Sequence, residues 1–79
     1  MEGSWIEDAR RRIDLIDREI MRLLDERMEI CRSMGRYKRA HGIPLRDLGR
    51  ERRVLDKAGS YQEVFKAIID LCLEAQRGG

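Results

Sequence analysis

The 79 residues are 41% charged and 42% apolar with one Pro and 5% aromatics, a profile that suits helices with one wet and one dry face and allows one domain at most. So short a chain buries only about 60% of the surface its unfolded form exposes, and two cysteines with one histidine supply neither a disulfide framework nor a four-ligand zinc site, which leaves a second chain as the support. A net charge of +2, from 17 basic and 15 acidic residues, is too balanced to mark a nucleic-acid binder, and the apolar runs are far shorter than a membrane span or a signal segment, so a cytoplasmic all-α protein is expected.

Two breaks, at His41 Gly42 Ile43 Pro44 and at Ala58 Gly59 Ser60, cut the chain into three helical pieces. The first, from about Ser4 to Ala40, opens on Ser4 and Glu7 at capping-box spacing. It carries an apolar seam whose intervals alternate three and four: Ile6, Ala9, Ile13, Ile16, Ile20, Leu23, Arg27, Ile30, Met34 and Tyr37. At 1.5 Å per residue it is about 55 Å long, whereas a compact chain of this size has a radius of gyration near 12 Å. It therefore exceeds the interior of a single globule. The second piece, about Leu48 to Ala58, has Asp47 as candidate N-cap and a stripe at Leu48, Glu51, Leu55 and Ala58. The third starts on a second capping box, Ser60 and Glu63, and gathers Phe65, Ile68, Ile69, Cys72 and Gln76 on one side. Folded back as a hairpin, helices 2 and 3 cover one half of the long seam, and an antiparallel second copy covers the rest.

The informative residues are polar ones on dry faces. Arg27 stands in the seam, where an unpaired guanidinium is costly, so an acidic partner or an anionic ligand must meet it. Lys38, eleven residues on, returns to within about 20° of the same face some 16 Å along the axis, leaving room between the two cations for a small dianion. The structural alternative is an internal ion pair with Glu26, Asp25 or Glu51. Glu51 and Gln76 break the stripes of the other two helices, although near the end of the chain a solvated, frayed Gln76 is the plainer reading. Arg50, Arg52 and Arg53 read as a wet face, His41 as a helix terminus, and Cys31 and Cys72 as reduced thiols in or near the core. No nucleophile constellation, phosphate loop or metal cluster is visible, and neither a metal nor a cofactor is expected.

Arg10 with Ile13 and Asp17, Leu23 Leu24 Asp25 Glu26 Arg27, Gly35 Arg36 Tyr37 Lys38, Ile43 Pro44 Leu45 Arg46 Asp47, Arg50 Glu51 Arg52, and then Cys72 and Gln76 together resemble the successive signatures of the all-helical chorismate mutases. The stretch from Leu45 to Arg52 is the most specific part. The resemblance implies one such domain over residues 1–79, an intertwined homodimer, and conversion of chorismate to prephenate on the way to phenylalanine and tyrosine. It implies that Arg27, with Arg10 of the opposite subunit, holds the two carboxylates. Lys38 and Gln76 would donate to the ether oxygen whose bond breaks, Arg50 would add positive charge, and Glu51 with the Asp47 backbone would fix the ring hydroxyl. Cys72 falls where the family often has a small hydroxyl or amide residue on a carboxylate, and a thiol is a weaker donor. The segment between Arg52 and Cys72 is shorter than in the family, as if helices 2 and 3 had each lost about a turn and a half. Gln76 keeps its facing only if the two losses are equal.

A Claisen rearrangement is unimolecular and needs no nucleophile, proton shuttle or cofactor. What it asks of a protein is a folded near-attack conformer and preorganised cations where negative charge grows, and Arg and Lys on dry faces supply both. An isochorismate pyruvate lyase would use a similar cationic pocket. A weakly active module that binds another shikimate-pathway enzyme is the reading from a different class. A helical dimer that binds nucleic acid through its arginines is a distant third.

Overall fold

In the computed structural model, which describes residues 2–78, three α-helices follow in chain order: α1 (Glu2–Ala40), α2 (Leu48–Ala58) and α3 (Gln62–Gly78), the last two joined by a 3₁₀ turn over Gly59–Tyr61. α1 begins before Ser4, which stands inside the helix and is not its cap. On its wet side Arg22 pairs with Glu19 and with Glu26, one turn away in each direction. The helix ends where Gly42 takes a φ of 66°. The Ile43 N–H then reaches back to the Lys38 carbonyl at 2.9 Å, the six-to-one bond of a Schellman stop, for which glycine suits the left-handed position. His41 belongs to this terminus, its ring stacked on Tyr37 with centroids 4.1 Å apart.

α2 starts as its sequence predicts. The Asp47 carboxylate accepts the Arg50 N–H at 3.0 Å from an extended backbone at φ −125°, satisfying one of the orphan donors of the first turn. The second capping box does not form. Ser60 lies within the 3₁₀ turn and caps nothing; instead Gln62 Nε2 donates to the Leu55 carbonyl at 3.0 Å and ties the hairpin together.

Both α1 and α2 pack on α3. The core is small: Cys31 from α1 and Ile68, Ile69 and Leu73 from α3, with Gln76 buried beside them. α1 faces α3 through Cys31 and Gly35, both buried, with Leu24, Met28 and Lys38 half-buried along the same side. That face is rotated from the expected one. Of the seam, Leu23, Ile30, Met34 and Tyr37 stay exposed even alongside the hairpin, and only Ala9 and Arg27 are half-buried, so the hairpin leaves most of the seam uncovered. The small side chains at positions 31 and 35 explain the shift, because they let two helix backbones approach more closely than Ile30 or Met34 allows.

Cys31 and Cys72 are not separate thiols. A disulfide joins them, with Cα atoms 5.5 Å apart at a sequence separation of 41. No local spacing betrays such a pair; only the packing of α1 on α3 brings the two positions together. The resulting shape is a rod, 60 × 24 × 13 Å with a radius of gyration of 16.8 Å, against about 12 Å for a compact chain of this length.

Candidate active site

α1, α3 and the loop leading into α2 enclose a half-open cavity of about 220 Å³. The Asp47 cap fixes the first turn of α2, and that turn presents Arg50 and Glu51 to the cavity. From α1 come Arg27, Cys31 and Lys38, and from α3 come Cys72 and Gln76. Arg27, Lys38, Asp47, Arg50, Glu51, Cys72 and Gln76, singled out in the sequence, thus line one space. Arg10 does not. It is exposed on α1, 17 residues before Arg27, or about 25 Å along the axis. Arg52 and Arg53 are exposed and line nothing here.

The cations are not consumed by internal pairs. Among the described residues no carboxylate bridges Arg27, Lys38 or Arg50. Arg27 makes only a long contact of 3.9 Å from Nη1 to Cys31 Sγ. Its pKa is held below the ordinary arginine value, first by burial and then by the charge of Arg50, as expected when like charges share a poorly solvated space. Lys38 spends one of its three donors on the Leu45 carbonyl, at 3.0 Å, which steadies the ammonium and ties the loop to α1. Glu51 is already matched: Arg46 grips it through Nε at 2.9 Å and Nη2 at 3.1 Å. Three cations therefore face two carboxylates, one of them neutralised from outside the cavity, and the surplus is positive.

Gln76 is only 4% exposed, so the frayed end does not exist. The residue lines the cavity from the last turns of α3. Its Nε2 donates to Cys72 Sγ at 3.5 Å, a weak acceptor, while its Oε1 is buried with no partner among the described residues. An orphaned amide oxygen is uncommon in a folded interior and suggests a group waiting for a ligand. The disulfide forms the floor between Arg27 and Gln76, so position 72 offers sulfur without a thiol hydrogen. Sequence reading missed Met34, Leu45, Val54, Ile69 and Leu73 as walls of this cavity. It also missed Arg46 as the residue that holds Glu51; a basic residue five positions before an acid is too common a pattern to single out.

The sequence profile of the family described as chorismate mutase type II matches residues 9–77. The chain belongs to that family. The all-helical architecture fits it, and the expected family resemblance is thereby established. The chain is 36% identical over 74 residues to the 3-dehydroquinate dehydratase of Pyrobaculum aerophilum, a match covering 94% of this chain and 25% of the relative. It is 28% identical over 86 residues to the bifunctional chorismate mutase/prephenate dehydratase of Aquifex aeolicus, covering 91% of this chain and 24% of the relative. The chain thus spans about a quarter of the length of these relatives. A conserved hypothetical protein from Pyrococcus furiosus has a solved structure that superposes with a TM-score of 0.89 at 35% identity, over 90% of this chain and 93% of that one. Among the described residues no helix is long and apolar enough to cross a membrane.

Proposed function

We propose that the chain is a single chorismate mutase domain that rearranges chorismate to prephenate in aromatic amino acid biosynthesis. The observation that carries this is the convergence of Arg27, Lys38 and Arg50, none of them paired to a carboxylate, with the buried amide of Gln76 in one cavity of a chorismate mutase type II chain. Arg27 takes one carboxylate of the substrate in the forked geometry that guanidinium favours. Lys38, fixed by Leu45, and Gln76 donate to the ether oxygen as its bond to carbon lengthens and charge gathers on it. The Gln76 amide gives up little in turning from a sulfur to that oxygen. Glu51, held by Arg46, and the Asp47 backbone orient the ring hydroxyl. Since the reaction is intramolecular, the gain comes from holding the folded conformer and from cations already in place as charge develops.

The second carboxylate needs another cation, and Arg10 of the opposite subunit supplies it in an antiparallel homodimer. Three observations support the dimer. Ile6, Ile13, Ile16, Ile20 and Leu23 are each 42 to 57% exposed, an unbroken apolar face. The accessible surface is 6579 Å², where a compact monomer of 9.3 kDa would show about 5,000 Å². A core of four buried apolar residues among those described is too little to hold a helix of 39 residues by itself. A cytoplasmic location is part of the same reading; the Cys31–Cys72 disulfide weighs against it, because reducing compartments keep thiols free.

The test is direct. Purified protein is incubated with chorismate alone, the loss of chorismate absorbance is followed, and the product is identified. Prephenate formed by the parent and lost in Arg27→Ala supports the reading. Release of pyruvate from isochorismate without prephenate from chorismate would replace it with a lyase, and no turnover of either would leave a binding module.

A further inference from the structure

Gln76 sits in the last turn of α3, where backbone carbonyls have no partner further along the helix and side chains are ordinarily loose. Here the residue is 4% exposed, and two residues of α1 one turn apart hold its backbone in place. The first is Gly35, buried against the Gln76 backbone. A Cβ built on Gly35 would stand 2.6 Å from Gln76 Cα and 2.8 Å from its carbonyl carbon, closer than any real methyl tolerates, and the obstacle is backbone, which cannot swing aside. The second is Arg39, whose Nη1 donates to the Gln76 carbonyl oxygen, meeting an orphan acceptor at the negative end of the helix. Neither residue lines the cavity.

We propose that Gly35 and Arg39 are positioning residues for Gln76: the glycine admits the α3 backbone to contact with α1, and the guanidinium pins it there, so that an amide on a terminal turn is held as rigidly as one in a helix centre. This rests on the reading of Gln76 as donor to the ether oxygen. It explains why a glycine is placed inside a long helix, where it costs helix stability relative to alanine. It also explains how α3 keeps register so near its end.

Gln62 and Gln76 are the only side-chain amides in the sequence, so the amide region of a ¹⁵N spectrum holds two pairs of signals, and Gln76→Glu assigns them. In Arg39→Met the Gln76 pair should move toward free-amide positions and its hydrogen exchange quicken about tenfold or more while the Gln62 pair stays put. Arg39→Lys, which can still reach a carbonyl, should restore part of the difference, and Gly35→Ala should act like Arg39→Met. Turnover of chorismate supplies the second readout. Arg39→Met should lower kcat about tenfold to a hundredfold with KM changed less than about threefold, and in a Gln76→Ala background it should lower kcat less than about twofold further. Unmoved Gln76 signals in Arg39→Met, or an equal loss of kcat with and without the Gln76 side chain, would overturn the proposal. Should Gly35→Ala not fold, the Arg39 series decides alone. A parent without turnover would end the functional reading of Gln76, while the amide signals would still settle whether Gly35 and Arg39 set its position.

Discussion

Replacing Gln76 by Glu exchanges an amide, which donates at any pH, for a carboxyl group, which donates only while protonated and repels a dianion once ionised. At pH 7 the variant should lose about a hundredfold to a thousandfold in kcat, the effect of losing one preorganised donor, and activity should climb as the pH falls and the carboxyl takes up its proton. A pH profile of kcat for parent and variant checks this. Identical profiles would mean that the buried amide touches nothing that reacts. At this scale the sequence is informative where a polar residue breaks an apolar stripe, as Arg27, Glu51 and Gln76 do, and where Lys38 returns to the face of Arg27; the structure places all four on one cavity. Arg39 and Gly35 have no role legible in the sequence, where Gly35 is only one residue of a family signature, because neither breaks a pattern. One is a charge near the end of a helix, the other a small residue whose meaning depends on what lies opposite.

The elements differ in how they are held. α2 depends on its cap, and Asp47→Ala should cost about 1 kcal/mol in a urea titration, with Asp47→Asn close to the parent. The first turn carries Arg50 and Glu51, so Asp47→Ala should raise the KM for chorismate as well. α1 and α3 are joined covalently, and closing a loop with a sequence separation of 41 residues restricts the unfolded chain by about 4 kcal/mol on a loop-entropy estimate. Reduction, or Cys31→Ser, should lower the unfolding free energy by that order, read as a lower urea midpoint. An unmoved midpoint would show that the sulfurs are not joined in solution. Helix α2 was legible from Asp47 to Ala58 because cap, stripe and glycine stop agree there. The start of α3 was not, because Ser60 and Glu63 have the spacing of a cap but Gly59 leads into a 3₁₀ turn instead. The bond between Cys31 and Cys72 could not be read from residues so far apart.

For the whole molecule the deciding question is whether Arg10 works across an interface. Arg10→Ala and Arg27→Ala should each be nearly inactive. Unfolded and refolded together in equal amounts, they should form mixed dimers for half of the total, with one site carrying both lesions and the other neither, so that about a quarter of all sites are intact. Sedimentation should find dimers in every case. No recovery beyond the average, with heterodimers proven by a label, would place Arg10 outside the site. The disulfide adds a topological side to such mixing. It closes residues 31–72 into a covalent ring that holds the cavity floor, α2 and most of α3, and leaves residues 2–30 as a free arm. The arm is nearly all exposed in the single chain, and a lone helix without a packed face is marginal in water. Diluted below its dissociation constant, the protein should therefore keep slow amide exchange inside the ring while the arm melts. Subunit exchange at the same rate in oxidising and reducing buffer would show that the partner's arm lies beside the ring; exchange only after reduction would show that it is threaded through.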